Sequence, residues 1–259
     1  MTLRLAISGF GRIGRMTLRA LQEMNRDDME VVLVNSPGPV ETSAHLYEFD
    51  SVHGRAGGQI SIGEDWMDIG RGKIKMSRER DPAQIPHAAH KIDIVLECSG
   101  KFNSRDQSAA HLTAGAKKVL VSAPCKNADM TVVYGVNHDQ LNAGVDIVSN
   151  ASCTTNCLAP VAKVLADTVG IEAGYMTTIH AYTGDQPTLD SSHKDLRRAR
   201  AAAMSMIPTS TGATSAVGEV LPALIGKMNG SAIRVPTANV SVVDLVVTTS
   251  RDTSLDEIN

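Results

Sequence analysis

The sequence predicts an α/β protein with a doubly wound parallel sheet, followed by an α+β domain with a mixed or antiparallel sheet. In the first half, short apolar runs alternate with helical patterns, which is typical of βαβ units. A glycine-rich turn follows the first of these runs. After about residue 150 the pattern changes to one long helix and longer strand-like runs. We therefore predict two domains, residues 1–151 and 152–259.

The composition is that of an ordinary globular protein and argues against nucleic-acid and membrane partners. The 259 residues are 42% hydrophobic and 20% charged, with a formal net charge of −3. That charge predicts no nucleic-acid partner, and no apolar run reaches the ~18 residues that predict a membrane partner. The chain opens on a strand pattern without the features of a secretory signal, so we expect a cytoplasmic protein. Its cysteines are then expected to be thiols.

The strands of the first domain are predicted from near-continuous apolar runs, as expected where helices cover both faces of a parallel sheet. These runs are residues 3–8, 30–35, 93–99, 118–123 and 146–150. Residues 56–80 are predicted to form a hairpin inserted between the βαβ units.

Gly9, Gly11 and Gly14 form the pattern G-F-G-R-I-G between the first strand and a helix that begins near Arg12. Glycines in such a turn allow a pyrophosphate to approach the backbone, and the helix N-terminus offers it unpaired N–H groups. Glycines at a strand–helix turn can also be purely structural. The βαβ context favours dinucleotide binding by a sheet of the Rossmann type.

The second predicted strand ends at Asn35 and Ser36, where dinucleotide-binding domains usually carry an Asp or Glu. Without that carboxylate nothing repels the 2′-phosphate of NADP, and the Ser36 hydroxyl can bond a ribose hydroxyl or a phosphate. No Arg or Lys follows within the next several residues to clamp a 2′-phosphate. We therefore predict NAD or NADP as the cofactor, with relaxed discrimination between them.

In the second domain a helix is predicted from near Cys153 to Gly170, where glycine ends it. A strand follows over residues 174–183, then a polar, basic stretch over 191–202, and then strand patterns within 232–250. These elements predict an α+β domain.

Cys153 is expected at the first turn of its helix, where the helix dipole favours a thiolate and its own N–H can stabilise an oxyanion. His180, at the end of the next strand, is a suitable acid/base partner. Spacing alone also permits Cys153 and Cys157 to be buried core thiols, a disulfide or a metal pair, and His180 to be structural. A metal is not expected, because no further ligand pair is present.

The run SNASCTTNCLAP (149–160) resembles the signature of the glyceraldehyde-3-phosphate dehydrogenase family. Similar segments extend from Leu3 to the last residues: ISGFGRIGR, DSVHGR, ECSGKF, GAKKVLVSAP, TVVYGVN, HAYTGDQ, DLRRARAAAMSMIPTSTGA and IRVPTANVSVVDL. The resemblance implies an oxidoreductase of glucose metabolism. It would oxidise and phosphorylate D-glyceraldehyde 3-phosphate to 1,3-bisphosphoglycerate with NAD(P), through a cysteine thioester.

The resemblance also implies the site residues. Cys153 would be the nucleophile and His180 its activating acid/base. The residues implied around the phosphate of the substrate are Thr183, Asp185 and Arg234. Those implied around the attacking phosphate are Ser152, Thr154, Thr211 and Gly212, with Arg198 near them. The small-molecule partners would thus be a triose phosphate and inorganic phosphate.

The cofactor would be bound by residues of the first domain. The resemblance implies Gly9, Phe10, Gly11, Arg12, Ile13, Asn35, Ser36, Arg80, Ser99, Gly100 and Ser122. Ser8 stands where the family often has Asn. The basic run 193–200 reads as a solvated face on its own, whereas in the family it belongs to a loop that crosses to a neighbouring subunit. We therefore expect a homotetramer.

The chain is shorter than the family pattern, so we expect a truncated form that lacks the last strands, an Asn orienting the nicotinamide and a C-terminal helix. Two alternatives follow. One is erythrose-4-phosphate dehydrogenase, against which the segment Tyr182–Asp185 favours a triose phosphate. The other is a catalytically incompetent, truncated form with a binding role.

Overall fold

The computed structural model describes residues 2–259. The chain divides into two compact units. The first unit comprises Met1–Thr131 and Leu141–Ala151, and the second comprises Val132–Gln140 and Ser152–Asn259. The chain passes from the first unit to the second between Ala151 and Ser152. The segment Val132–Gln140 also belongs to the second unit, although it precedes Ser152 in the chain. The division into domains at residue 151 stays a prediction.

The first unit alternates strands and helices. Its strands are β1 (Leu3–Ser8), β2 (Met29–Asn35), β3 (Phe49–Asp50), β4 (Gly54–Arg55), β5 (Ser61–Ile62), β6 (Trp66–Asp68), β7 (Lys73–Ser77), β8 (Ile94–Glu97), β9 (Lys118–Val121), β10 (Met130–Thr131) and β11 (Ile147–Ser149). Its helices are α1 (Arg12–Glu23), α2 (Val40–Glu48) and α3 (Arg105–Thr113). The predicted strand runs are therefore confirmed, with shorter bounds for the last three.

Within residues 2–259, the main sheet of this unit has nine strands in the order β10-β11-β9-β8-β1-β2-β7-β6-β5. Neighbours from β10 to β7 run parallel, whereas β6 and β5 pair antiparallel at one edge. This arrangement confirms the doubly wound, Rossmann-type prediction. The hairpin predicted at 56–80 is present, but β7 also pairs with β2, so the segment extends the main sheet instead of standing between units.

Both faces of this sheet are buried, which explains the near-continuous apolar runs. Adjacent residues of one strand point to opposite faces. Ala6 and Leu33 pack in one buried cluster with Val95, while Ile7 and Val34 pack in the other. A strand covered on both faces needs apolar side chains at consecutive positions, not at alternate ones.

The second unit contains one long helix and a mixed sheet. Its helices are α4 (Cys153–Thr168), α5 (Ala213–Val220) and α6 (Leu255–Ile258), and its strands are β12 (Ala173–Ala181), β13 (Ile207–Thr209), β14 (Met228–Val235) and β15 (Ser241–Thr248). In the described part of the chain the strand order is β13-β14-β12-β15. β12 and β14 are parallel and the other pairs antiparallel, which confirms the α+β prediction. No helix among residues 2–259 is long and apolar enough to span a bilayer.

Helix α4 has defined signals at both ends. The Ser152 side chain accepts a hydrogen bond from the N–H of Thr155, which is a regular N-cap. At the other end Gly170 has φ +74°, and its N–H donates to the carbonyl of Leu165 at 3.0 Å. Glycine adopts this left-handed conformation without the strain that a Cβ brings. The helix therefore starts at Cys153 for a local reason that the sequence encodes.

We expect Gly170→Ala to lower the free energy of unfolding by about 2 kcal/mol, because a left-handed residue with a Cβ is strained. Its Cβ would also lie 2.6 Å from Ser250 Oγ. Chemical denaturation of both proteins measures the difference. The matched control is Gly184→Ala, whose Cβ meets no described atom within 4 Å, and equal effects of the two substitutions would contradict the assignment.

Candidate active site

Cys153 is the first residue of α4, immediately after the N-cap Ser152. Its side chain is exposed, and in the described part of the chain its sulfur is free of a disulfide. The positive end of the helix dipole favours a thiolate at this position, and a first-turn N–H has no acceptor within the helix. Of the readings that spacing left open for Cys153, a buried core thiol does not describe it.

His180 faces this cysteine from the end of β12. Its Nε2 lies 3.2 Å from Cys153 Sγ, and its ring is 9% exposed. The hydrogen bond with His180 lowers the pKa of Cys153 below its ordinary value, although partial desolvation of the sulfur at this contact opposes the shift. The two residues are 27 positions apart in the chain, and the packing of the α4 start against the β12 end brings them together.

The tautomer of His180 follows from its other nitrogen. Nδ1 lies 2.6 Å from the carbonyl oxygen of Ala181, a distance at which two bare acceptors would repel. Arg234 Nη1 lies 3.0 Å from Nδ1 and donates to the same oxygen at 2.9 Å. We assign the Nδ1 proton to the Ala181 oxygen, which is the nearer partner and the one able to accept, because an arginine has donors only. Nε2 is then free to take the proton of the thiol. The pair can form a thiolate and an imidazolium, which is the arrangement of an activated cysteine.

Arg234 lies beside this pair because β14 runs parallel to β12 with Arg234 in register with His180. Burial lowers the pKa of its guanidinium, but an arginine remains charged at any physiological pH. Its Nε is buried and has no hydrogen-bond partner among residues 2–259. An unpaired buried donor on a cation is costly, so this nitrogen is suited to an anionic ligand.

Asp185 and Arg198 are joined in an ion pair with 2.7 Å between Oδ2 and Nη1. Burial raises the pKa of Asp185, but hydrogen bonds from Arg198 and His193 outweigh it and lower the pKa below its ordinary value. The N–H of Asp185 also donates to Thr183 Oγ1 at 3.4 Å. Arg198 therefore contacts a residue of the predicted substrate-phosphate group. Its assignment near the attacking phosphate stays a prediction.

Two residues around Arg198 were not identified from the sequence. Thr209 Oγ1 accepts from Arg198 Nε at 3.0 Å and donates to Asp195 Oδ2 at 2.8 Å. His193 contacts Asp185 at 3.2 Å. The sequence offered one signal for each: Thr209 is a polar residue at the end of a short strand, and His193 opens the basic run. Together they hold the guanidinium of Arg198 in place.

The residues assigned to the attacking phosphate lie at the starts of two helices that pack against each other, α4 and α5. Ser152 and Thr154 flank Cys153 at the first of these. At the second, Gly212 is the N-cap residue, and Thr211 Oγ1 accepts from the N–H of Ala213 at 3.1 Å. Helix N-termini with hydroxyls provide donors to anions. The grouping is suited to phosphate.

In the first unit the glycine turn has the geometry that close backbone approach requires. Gly9 has φ +89°, and a Cβ there would lie 2.5 Å from the Cα of Ser99. A Cβ on Gly14 would lie 2.3 Å from the carbonyl oxygen of Gly9, so helix α1 packs directly on the turn. A Cβ on Gly11 would meet no described atom within 4 Å, so the outer side of the turn is open.

This turn lies at the carboxyl ends of β1 and β8, where the strand order reverses direction, and dinucleotides bind at such points in doubly wound sheets. In the described part of the chain no side chain caps the N-terminus of α1, so its first N–H groups remain available to a pyrophosphate. Ser99 and Gly100 lie two and three residues beyond the end of β8, and Ser122 directly follows β9. These residues fit a dinucleotide.

Three of the remaining cofactor candidates belong to the start of α1. Phe10 is 5% exposed and its ring stacks on Tyr47, so its side chain is not open to a ligand. Arg12 pairs with Asp50 at 2.8 Å, while Ile13 is exposed. Asp50, in the segment DSVHGR, is a contact that the sequence did not reveal.

The candidates after β2 differ in how their side chains are used. The Asn35 amide is buried and bonds Ser77 Oγ and both main-chain groups of Glu79, so it holds the turn after β7. Ser36 is half-buried, and its N–H donates to the carbonyl of Ser77. Arg80, just beyond that turn, is exposed. Ser36 and Arg80 thus remain the side chains suited to contact an adenosine ribose.

We expect Cys153 to be alkylated by iodoacetamide with an apparent pKa below the ordinary thiol value of ~8.5, because its pKa is lowered by His180. His180→Asn removes that stabilisation, moves the inflection to higher pH and slows the reaction at pH 7. Peptide mass spectrometry over a pH series measures both.

Cys98 is the internal control, since burial raises the pKa of its thiol to about 11. At pH 7 Cys153 should react more than a hundredfold faster than Cys98. Equal rates would mean that the pair does not activate the thiol, and would favour a non-catalytic binding role.

Comparison with known proteins supports one family over both units. The family model for the NAD-binding domain of glyceraldehyde 3-phosphate dehydrogenase matches residues 3–105. The model for the C-terminal domain of the same enzyme matches residues 152–259.

Relatives named glyceraldehyde-3-phosphate dehydrogenase align with the whole chain. The protein of Xanthobacter flavus is 65% identical over 259 residues, which are 100% of this chain and 77% of the relative. That of Cereibacter sphaeroides is 62% identical over the same shares. That of Pseudomonas aeruginosa is 57% identical over 260 residues, or 78% of its length. The chain therefore belongs to the glyceraldehyde-3-phosphate dehydrogenase family.

Proposed function

We propose that this chain oxidises and phosphorylates D-glyceraldehyde 3-phosphate to 1,3-bisphosphoglycerate with NAD or NADP. The observation that carries the proposal is the Cys153–His180 pair, 3.2 Å apart at the start of a helix, in a chain of this family. The names of the relatives supply the substrate.

The reaction begins with the transfer of the Cys153 thiol proton to His180 Nε2. The thiolate then attacks the aldehyde carbon, and a C–S bond forms as the carbonyl π electrons move to oxygen. The N–H of Cys153 stabilises the resulting oxyanion, and the His180 imidazolium protonates it. The product of this step is a thiohemiacetal on Cys153.

Oxidation of the thiohemiacetal requires His180 a second time. Its Nε2 removes the hydroxyl proton as the C–H bond breaks and a thioester forms on Cys153. When bound, NAD(P) supplies the acceptor for the hydride. Inorganic phosphate then attacks the thioester carbonyl and expels the Cys153 thiolate, which restores the site.

The charged groups of the second unit are suited to the two phosphates. Arg234 presents a buried, unpaired Nε, and Thr183 presents a hydroxyl beside Asp185, so we assign the substrate phosphate to them. The helix starts at Thr154 and Gly212 are assigned to the attacking phosphate. An arginine and helix dipoles favour anions without covalent chemistry of their own.

We also infer a homotetramer in the cytoplasm. The cysteines of residues 2–259 are all free thiols, as a reducing compartment maintains them. The tetramer rests on the family and on the basic run 193–200, whose place in a subunit contact is part of the resemblance.

The test follows nicotinamide reduction at pH 8 with glyceraldehyde 3-phosphate and inorganic phosphate. We expect a phosphate-dependent rate that Cys153→Ser abolishes and His180→Asn lowers by ~10²–10⁴-fold, since each removes a participating group. Cys157→Ser is the matched control and should retain the rate. Sedimentation of the same preparation should give a four-chain mass.

Erythrose 4-phosphate is the competing substrate in this assay. A higher kcat/KM for it than for glyceraldehyde 3-phosphate would replace the proposed substrate. A folded chain that turns over neither aldehyde would be a catalytically incompetent, truncated form.

We expect the wild-type chain to bind NAD and NADP within a hundredfold of each other, because Ser36 replaces the usual acid. Ser36→Asp should weaken NADP binding at least tenfold and leave NAD binding unchanged or improved, since a carboxylate repels the 2′-phosphate. Calorimetric titration with each cofactor measures this, with Ser36→Ala as the control. A wild-type preference for NAD beyond a hundredfold would contradict the prediction.

A further inference from the structure

Glu97, the last residue of β8, is a buried carboxylate that the proposed mechanism does not use. It is 1% exposed. Its Oε1 accepts the main-chain N–H of Ser99 at 2.8 Å and also the Ser99 hydroxyl. Its Oε2 lies 2.9 Å from His111 Nε2. Such a buried charge is stable only while these donors remain in place.

Two buried histidines continue this contact into the interior. His111 on α3 and His87 are both fully buried, and His111 Nδ1 lies 3.0 Å from His87 Nε2. The hydrogen-bonded chain therefore runs from Ser99 through Glu97 and His111 to His87. We name these last three residues the Glu97 relay.

The direction of the donors in the relay is determined by its ends. Glu97 only accepts, so His111 carries its proton on Nε2 and accepts at Nδ1 from His87 Nε2–H. His87 Nδ1 is then a bare lone pair, and it has no partner among residues 2–259. A second proton on His87 would be a buried N–H without an acceptor.

The surroundings of the relay also disfavour a second proton on His87. Burial, together with the nearby His111 and His90, lowers the pKa of His87 to about 4. Glu97 faces His111, and Cys98 is its neighbour on the strand. His87 is therefore neutral at physiological pH, and the donor order is maintained.

The other end of the relay reaches the glycine turn. The Ser99 backbone that Glu97 holds is the same backbone against which Gly9 packs, with an imagined Gly9 Cβ 2.5 Å from both Ser99 N and Ser99 Cα. Gly9 therefore packs directly against the Ser99 backbone, and in a close-packed interior a displacement of Ser99 is passed on to the turn.

We propose that Glu97 is a positioning residue, oriented by His111 and His87, that fixes Ser99 against Gly9 and thereby sets the affinity of the first unit for its dinucleotide. The inference rests on NAD(P) binding by this unit. It assigns to residues behind the turn a control over cofactor affinity that is separate from the chemistry at Cys153.

The first test compares Glu97→Gln with Asp93→Asn. Asp93 precedes β8, where it bonds Arg4 N–H and Lys117 at 2.9 and 2.7 Å, so it is a polar anchor at the opposite end of the same strand. We expect Glu97→Gln to raise the Kd for NAD at least tenfold by calorimetry and to accelerate amide exchange at Ser99 at least tenfold. Asp93→Asn should do neither, and alkylation of Cys153 should be unchanged in both.

The second test uses position 111, should Glu97→Gln not fold. A glutamine side chain can donate to Glu97 much as histidine Nε2 does, whereas leucine of similar size cannot. His111→Gln should therefore retain NAD affinity within threefold, and His111→Leu should lose at least tenfold. A role in packing alone would affect these two variants alike.

The proposal is overturned if Glu97→Gln leaves both the NAD affinity and the Ser99 exchange unchanged, or if the two variants at position 111 are equivalent. If the wild-type chain binds no NAD, the proposed function fails. Exchange at Ser99 then still decides whether Glu97 positions that residue.

Discussion

The contact between Cys153 and His180 depends on where a helix begins and where a strand ends. Ser152 caps α4 and so makes Cys153 its first residue, with the helix dipole behind the sulfur. β12 lies between β14 and β15, and its end is thereby held on both sides. A thiol and an imidazole fixed 3.2 Å apart need no rearrangement before proton transfer, which is the property that a cysteine nucleophile requires.

The same sheet supplies a positive charge beside the pair. The parallel register of β12 and β14 places Arg234 opposite His180, and one carbonyl oxygen, that of Ala181, accepts from both side chains. That oxygen fixes the tautomer of the histidine and the direction of the arginine together. The positive charge of Arg234 therefore accompanies the thiolate, and it remains available to a phosphate through its unpaired Nε.

In the first unit, the glycine turn is held in place by close contacts between main-chain atoms. Gly9, Gly14 and Ser99 approach one another so closely that a Cβ on either glycine would collide with main-chain atoms. The close approach therefore requires glycine at both positions. The side chains of Phe10 and Asn35 hold the surrounding structure, and Glu97 holds Ser99 from behind.

The sequence predicted those features that depend on local pattern. The glycine turn, the start of α4 at Cys153 and its end at Gly170 all follow from neighbouring residues, so these elements were predicted. Pairings between distant segments were not predictable. The contact of β7 with β2 and the bond between His111 and His87, 24 residues apart, depend on packing that no periodicity encodes.

The contacts of Arg198 show the same limit. Its guanidinium pairs with Asp185, 13 residues away along an irregular segment, and also donates to the carbonyl of Ser210, and the sequence predicted neither bond. Such a segment has no period from which a side-chain direction can be inferred. The assignment of Arg198 near the attacking phosphate stays a prediction.

Peptide mass spectrometry directly tests whether Cys153 carries the substrate as a thioester. The chain is incubated with glyceraldehyde 3-phosphate and NAD without phosphate, quenched in acid and digested. We predict a 3-phosphoglyceroyl group on the peptide, located at Cys153 by fragmentation and absent after inorganic phosphate is added. An unmodified Cys153, or an acyl group on Cys157 instead, would contradict it.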